Sequence, residues 1–496
     1  MLAPWLLLSS LNASTLHLAL SAAPSRLNPL LATDSASGEV TSMLFNALIT
    51  YDKNGAYRLE MAESYRFITP TRLQWRLKQG LVWHDGHPVS ADDIRFTWQL
   101  ACSPKLFSPY GELFHHIRDV KVIDRQTVEV IYKKPYFKAL EIWMAPILPR
   151  HRLQRDQDVM TSSFNRAPIG SGPWRLERFE PTKIVTLQAH AHHRPHPPRI
   201  PSVAMHIVPD ASARMLMLRK GELDISDLSP LQLERQIDDA FKKRYAIYEQ
   251  PGNSYTYLGF NLTLPKFADA RVRRALSLAI DRQELVDLLL FGHGTICHGP
   301  FLPGSIAYNP EVKAPRRNLA EAKRLLALAG YGPKRPLRFE ITTSSSNTTR
   351  LYAAQILQKQ LAAVGVEVTI RAMEWQAFLQ TVVMPRRFET VLLGWSMPIF
   401  PDAYSVWHSA SRKKGGFNFI GYRNQEVDRL IEEAEGEIKQ ERIGQIYREL
   451  FARIVADDPY LFLYIPNSIT AINRAITPIE PGLTGITHNI IDWIKP

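Results

Sequence analysis

Hydrophobic periodicity switches between two and 3.6 residues along almost the whole chain, and this alternation constrains the fold more than any other feature. Period-two patterns mark strands at Leu73 to Leu77 (LQWRL) and Thr127 to Tyr132 (TVEVIY). Between them Ser90 is an N-cap, Asp92 and Asp93 oppose the positive end of a helix dipole, and the helix runs on through Trp98. Upstream, an extended segment from Thr15 to Ser21 and breaks at Pro24 and Pro29 precede an amphipathic stretch from Val40 to Leu48. Pro168 to Val208 reads as β-rich, with a strand at Ile184 to Leu187, and Ser212 to Lys220 as a helix closed by Gly221. A second unit begins near Pro251. Its pattern predicts helices over Val272 to Phe291 and Leu319 to Ala329, the second ended by Gly330. A strand at Leu337 to Thr342, a helix at Leu351 to Val364 and a strand at Val366 to Ile370 follow. Glu426 to Asp457 is helical, and Pro459 to Ile465 begins the last stretch. Strand alternating with helix on this scale predicts mixed α/β lobes, not a barrel or a bundle. No short-period repeat points to a solenoid.

At 496 residues the chain exceeds what one hydrophobic core serves, so two or three domains are expected. No stretch approaches the roughly 20 unbroken apolar residues of a membrane span. Met1 to Leu8, followed by the small residues Ser10, Ala13 and Ser14, is either the remnant of a secretory signal without its positive n-region or a plain N-terminal overhang. The net charge of +12 raises the question of nucleic acid. However, the 60 Lys and Arg are scattered among 48 acidic residues, and no helix carries a basic run interleaved with aromatics. A generic cationic surface follows, with no nucleic-acid partner. Cys102 and Cys297 form no Cys-x-x-Cys, and two unlinked thiols is the simpler reading. No Gly-x-Ser-x-Gly elbow, His-Glu-x-x-His, Walker loop or Gly-x-Gly-x-x-Gly is present, so neither an enzyme nor a cofactor is expected. The acidic pairs Asp92-Asp93 and Asp457-Asp458 read as helix or turn caps. No helix-turn-helix segment precedes the first strand, which removes a sensor fused to a DNA-binding module.

Several segments, taken in order, carry a family resemblance. Met61 to Leu100 (MAESYRFITPTRLQWRLKQGLVWHDGHPVSADDIRFTWQL) reads as strand, Asp85-Gly86 turn and capped helix. Pro168 to Trp174 (PIGSGPW) turns sharply on its glycines. Gly259 to Asp281 (GFNLTLPKFADARVRRALSLAID) and Asn318 to Tyr331 (NLAEAKRLLALAGY) lie in the second unit. Gly394 to Ser409 (GWSMPIFPDAYSVWHS), Gly415 to Ile431 and Asp457 to Pro466 complete the set. Together they resemble the peptide and nickel family of bacterial extracellular solute-binding proteins, family 5, the dipeptide and oligopeptide receptors. The resemblance covers roughly residues 15 to 490.

It implies an α/β, two-lobed periplasmic-binding-protein fold of type II, with the extra subdomain of the peptide-binding family. Residues 1–13 would be the signal-peptide remnant, and 14–45 the first segment of lobe I. The inserted subdomain would occupy 46–167 and the middle segment of lobe I 168–250. Lobe II would be 251–468, and 469–496 the last segment of lobe I. The implied activity is that of the substrate-binding component of an ABC importer, monomeric and periplasmic. Such a protein captures a peptide or peptide-like ligand by hinge closure and delivers it to membrane permease subunits with their ATPases. A nickel or metal-chelate receptor of the same family is the alternative, and a hydrolase is less favoured.

In peptide-binding relatives a Gly-Trp pair in lobe II packs against ligand; here it is Gly394 and Trp395, a rigid aromatic suited to a promiscuous wall. The same tryptophan could equally be core at a strand end. Those relatives pair the ligand ammonium with an aspartate that aligns with Pro398, whereas Asp402 matches a later Pro-Asp pair that more often caps the next turn. Either Asp402 swings in as the substitute, or the ligand lacks a free amino terminus, or it is not a peptide. Ser35 and Ser37 after the first strand, Tyr110, Asn253, Tyr255 and Tyr257 before the Gly-Phe-Asn strand, and Phe417 and Asn418 complete the ligand-binding candidates, each with a structural role open beside it. The histidines His190, His192, His193 and His196 could share a borderline metal ion, or simply decorate a proline-rich surface loop, and His408 is a further metal-ligand candidate.

Overall fold

Two mixed sheets, one in each lobe, carry the architecture of the computed structural model, which describes residues 15–106, 108, 110–398, 402–413, 416–437 and 439–496. Lobe I holds seven strands in the spatial order Tyr245–Gln250, Ser468–Asn473, Ile225–Asp227, Thr15–Leu20, Ser202–Ile207, Ile184–Ala189 and Trp174–Glu180. Thr15–Leu20 is central and alternates as a strand should, with Leu16, Leu18 and Leu20 buried. It runs parallel to both neighbours, Ser202–Ile207 and Ile225–Asp227. Lobe II holds six strands in the order Gly294–Ile296, Tyr460–Pro466, Ser254–Phe260, Thr390–Ser396, Arg338–Ser344 and Glu367–Met373. A separate four-stranded antiparallel sheet, Ala62–Thr69, Arg72–Leu77, Thr127–Tyr132 and Ile117–Val122, belongs to the inserted subdomain. The fold is thus the expected two-lobed α/β architecture with its extra subdomain.

Three helices depart from the periodicity reading, two of them because a local cap outweighs the apolar pattern. The helix expected over Val272 to Phe291 is two, Ala270–Ala279 and Arg282–Leu290. Ile280 is extended, and the Asp281 carboxylate accepts the Glu284 amide at 3.1 Å, which starts the second helix afresh. Glu426 to Asp457 likewise divides into Gln425–Gly436 and Gln440–Ala456, with extended backbone at Glu437. The amphipathic stretch at Val40 to Leu48 is the end of a helix, Ser35–Leu44, that starts earlier on its Asp34 cap. Ser90 behaves as expected. It opens Ala91–Ala101 in a capping box, its own amide donating to Asp93 Oδ2 at 2.9 Å. Cys102 and Cys297 pack in different hydrophobic cores and form no disulfide with each other; burial pushes the Cys297 thiol up to about 12.

The chain crosses between the two sheets at two adjacent points. Gln250 pairs with Ser468 in lobe I, and Thr256 pairs with Tyr464 in lobe II, so the crossings are residues 251–253 and Asn467. A Cβ on Gly252 would lie 1.8 Å from the Pro466 carbonyl oxygen, so only glycine lets the two crossings run side by side. His293 of lobe II clasps lobe I at this point. Its Nε2 meets Glu234 Oε1 at 3.0 Å and its Nδ1 meets Glu249 Oε1 at 2.9 Å. A neutral imidazole has one N–H and can serve only one of two carboxylates, so this geometry calls for the imidazolium. The Glu234 bond, against an opposing effect of burial and with help from Glu249, raises the His293 pKa above its ordinary value.

Candidate functional site

The ends of the parallel strands decide where a ligand can sit, because loops at carboxyl edges form the crevices of α/β sheets. Ser396, the last residue of Thr390–Ser396, pairs with Ser254, and the Met397 amide donates to the Asn253 carbonyl at 2.7 Å. The carboxyl edge of the lobe II sheet therefore abuts the crossings. Asp227, the last residue of Ile225–Asp227, pairs with Thr470 near the start of Ser468–Asn473, so the carboxyl edge of lobe I abuts them too. The two edges face each other across the hinge.

Lobe II contributes an aromatic wall and a cation. Trp395 is half-buried, stacked parallel to Tyr257 at 6.3 Å and packed against Phe417 at 5.5 Å and Phe419 at 5.6 Å. Its indole N–H donates to the Tyr460 hydroxyl at 3.3 Å. These contacts fix the ring in one rotamer and leave part of it open. On the opposite face of the same strand, a Cβ at Gly394 would lie 2.4 Å from Arg350 Nη2, so the missing side chain makes room for the guanidinium. Arg350 sits in Thr348–Ala362, the helix that follows the carboxyl end of Arg338–Ser344. Its Nε is buried without a hydrogen-bond partner, and no carboxylate among the described residues pairs with it. Burial lowers its pKa, weakly offset by Tyr464 and Tyr257. A cation held in this way is suited to an anionic group brought from outside.

Lobe I contributes carboxylates. Glu39 lies in Ser35–Leu44, the helix reached from the carboxyl end of Thr15–Leu20. Its side chain is exposed, yet the protein crowding it, with Asp227 and Asp34, pushes its carboxyl up to about 7. Asp227 is itself exposed at the strand end, yet crowding by the protein also raises its carboxyl, against a 3.0 Å bond from Thr470 Oγ1 and the nearby Arg214 charge. The inserted subdomain closes over lobe II. Buried Lys138 lies 4.0 Å from Asp402, His116 Nε2 lies 3.5 Å from Glu435 Oε1, and the Phe137 amide donates to the Glu435 carbonyl at 3.4 Å.

Residues 56–418 match the family described as bacterial extracellular solute-binding proteins, family 5 Middle. The chain belongs to this family. It is 29% identical over 491 residues to the oligopeptide-binding protein AppA of Bacillus subtilis strain 168, covering 95% of this chain and 89% of that protein. The solved structure of AppA from Bacillus subtilis in complex with a nonapeptide superposes with a TM-score of 0.92 at 27% identity, over 97% of this chain and 99% of that one. NikZ from Campylobacter jejuni in complex with Ni(L-His) superposes with a TM-score of 0.89 at 25% identity, over 97% and 99%.

In this family 5 protein the expected site residues divide by burial. Trp395 and Phe417 share one aromatic group at the lobe II edge, while Gly394 serves Arg350 and exposed Asn253 joins the hinge through its carbonyl. Tyr255 and Tyr257, expected on the cleft, are instead core residues at 1% and 0% exposure, because Ser254–Phe260 is covered on both faces. Ser37 is also buried: its hydroxyl donates to Asp34 Oδ2 at 2.8 Å and accepts from the Ser25 amide, which makes it part of the helix cap, whereas Ser35 is exposed. Asn418, fully buried, binds the carbonyls of His408 and Tyr422 and the Tyr422 amide, so it too is structural. Tyr110 donates to the Ala32 carbonyl at 2.9 Å and braces the loop before Asp34. Asp402 caps the turn ahead, accepting from the Tyr404 amide at 3.1 Å and from Ser405 Oγ at 2.7 Å. Burial would raise its carboxyl, but Lys138 and the Ser405 bonds hold it below the ordinary range. Pro398 is exposed.

The histidine loop does not converge. His193 is buried between Asn46 Nδ2 and the His196 carbonyl, partly exposed His196 lies between the Pro197 carbonyl and Asp492, and His190 Nδ1 faces the Gly172 carbonyl. His192 is exposed. His408 stacks on Tyr404 at 4.2 Å and meets Glu432. The expected overhang at 1–13 lies outside the described residues. Sequence reading missed Arg350, Lys138, Glu39 and Asp227. Only Arg350 left a trace, the Asn347 cap that opens a helix directly after a strand.

Proposed function

We propose that this chain is the periplasmic substrate-binding component of an ABC importer. It takes a peptide or peptide-like solute between its lobes and releases it to membrane permease subunits driven by their ATPases. The cycle makes and breaks no bond, so the protein is not an enzyme, and it works as a monomer because one chain supplies both walls of the cleft. The observation that carries this reading is a cation in lobe II and, in lobe I, two carboxyls held toward their neutral form until a ligand ammonium ionises them. Arg350, with which no carboxylate among the described residues pairs, stands in lobe II on the face of Thr390–Ser396 opposite to Trp395, and Glu39 and Asp227 stand in lobe I. A zwitterionic, partly apolar ligand matches that arrangement at both ends and along its length. Closure is favoured because only the closed state touches the ligand from both sides. The nonapeptide bound by AppA supports a peptide, and the Ni(L-His) bound by NikZ keeps a metal chelate as the second reading.

Mass spectrometry of ligand copurified with the full chain separates peptide from chelate. Calorimetry then compares one peptide with its C-terminally amidated and N-acetylated forms. Amidation should weaken binding to the wild type and have little further effect in Arg350→Met. Acetylation should weaken binding in the wild type and not in Glu39→Gln/Asp227→Asn. Equal affinities for all three peptides would remove the charge-reading assignment, and copurified nickel complexes in place of peptides would favour the second reading.

A further inference from the structure

Away from the cleft, the inserted subdomain gathers two imidazoles and a carboxylate that the binding cycle does not use. Asp85 and His87 lie on a tight turn closed by the Trp83 amide on the His87 carbonyl at 2.8 Å, and by the Gly86 amide on the Trp83 carbonyl at 2.9 Å. Gly86 supplies the positive φ of 84° that the turn needs. His151 comes from the short helix Arg150–Leu153, whose Arg150 amide is fixed by Asp93 Oδ1 at 2.9 Å. The two scaffolds bring the His87 and His151 rings into a stack, centroids 4.2 Å apart and 15° from parallel. Asp85 spans them, with Oδ2 at 2.8 Å from His151 Nε2 and Oδ1 at 3.4 Å from His87 Nδ1.

We propose that Asp85, His87 and His151 form a binding site for one divalent cation of the zinc or nickel class. A tetrahedral ion with bonds of about 2.0–2.1 Å needs ligand atoms roughly 3.3 Å apart. Here one atom from each residue lies within 4.8 Å of the others, and the two imidazoles already stand 2.8 and 3.4 Å from Asp85, one at each of its oxygens. Closing the set takes side-chain rotation alone, since the turn and the helix are both pinned through their backbones. Two neutral imidazole nitrogens with one carboxylate suit borderline ions rather than calcium or magnesium, which prefer oxygen throughout. Three protein ligands leave at least one position for water. The neighbouring His84 cannot compete, because its Nδ1 accepts from the Gly170 amide and its Nε2 faces the Gly172 carbonyl, both at 3.1 Å. None of the three ligating residues takes part in the contacts between subdomain and lobe II, so a bound ion would tie the turn to the Arg150–Leu153 helix without obstructing closure.

The test is calorimetry on the full chain, stripped with a chelator and titrated with ZnCl2 and separately with NiCl2. One ion per chain is expected. His87→Ala and His151→Ala should each weaken binding at least about tenfold, and the double variant should abolish it. His192→Ala, on the exposed histidine loop, should leave it unchanged. His87 is 61% exposed at its side chain, so its replacement should leave the metal-free melting curve in place. A second readout uses Trp83, whose buried ring lies 6.3 Å from that of His151. Ni2+ should quench part of the tryptophan emission of the wild type and none in the double variant. No uptake of either ion by the wild type, or uptake that the double variant retains, would overturn the assignment and leave the three residues as an ordinary surface ion pair.

Discussion

Replacing His293 with alanine removes a side chain that ties lobe II to two carboxylates of lobe I beside the hinge, and its cost should depend on pH. The magnitude follows from the geometry. The contacts are 3.0 and 2.9 Å, with side-chain exposures of 19% for His293, 45% for Glu234 and 34% for Glu249. A hydrogen bond to a charged group contributes about 1.5–3 kcal/mol when dry and an exposed ion pair about 0.2–1 kcal/mol. Two half-wet contacts should therefore sum to about 1–2 kcal/mol while the imidazole is charged. The His293 pKa is raised in the folded chain, so the folded state holds the proton more tightly than the unfolded one. The contribution is fully present below the unfolded value of about 6.5, and it is lost as pH rises through the higher folded value. Urea denaturation of wild type and His293→Ala at about pH 6 and about pH 9 measures this as the gap between midpoints at equal slope. The gap should be large at the lower pH and shrink at the higher. In Glu234→Gln the effect of His293→Ala should fall, since one of the two partners is already neutral. A gap that is absent at the lower pH, or equal at both, would refute the claim that His293 is held as an imidazolium.

Three further perturbations test other parts of the structure. Gly252→Ala places a Cβ against the Pro466 carbonyl and should destabilise the hinge by about 1–3 kcal/mol, read by denaturant midpoint, with the ligand-induced fall in radius of gyration reduced in small-angle scattering. Trp395→Ala should weaken peptide affinity by about 1–3 kcal/mol in calorimetry, and unchanged affinity would assign the ring to packing alone. Glu39 is raised from 4.5 to about 7, but its exposed side chain lets solvent screen the effect, so wild-type stability should fall only modestly as pH climbs through that window. Glu39→Gln should flatten that slope, measured by denaturation across the same range.

Local signals carried the fold a long way. Strand alternation at Thr15–Leu20 and Thr127–Tyr132, the Ser90 cap, and Gly221 at a left-handed φ of 77° are each set by residues within one or two turns of each other. The family resemblance rests on such local runs, and the lobe architecture came with it. Helix breaks at Asp281 and Glu437 were hidden because a continuous apolar stripe does not show where a carboxylate will capture an amide. Burial on a central strand was equally hidden: Ser254–Phe260 is covered on both faces, so no period separates Tyr255 and Tyr257 in the core from a cleft-facing pair.

Composition, helix caps, turns and the Gly394-Trp395 motif were determined by the sequence itself, because their energetics act over a few residues. Tertiary structure alone decided that Arg350 lies under Gly394 and that Lys138 reaches Asp402. It also brought His151 to Asp85, 66 residues away, and Glu234 to His293 across 59. Those contacts form when packed sheets and two hinge crossings bring distant side chains together, and no hydrophobic period or cap encodes which polar groups will then meet.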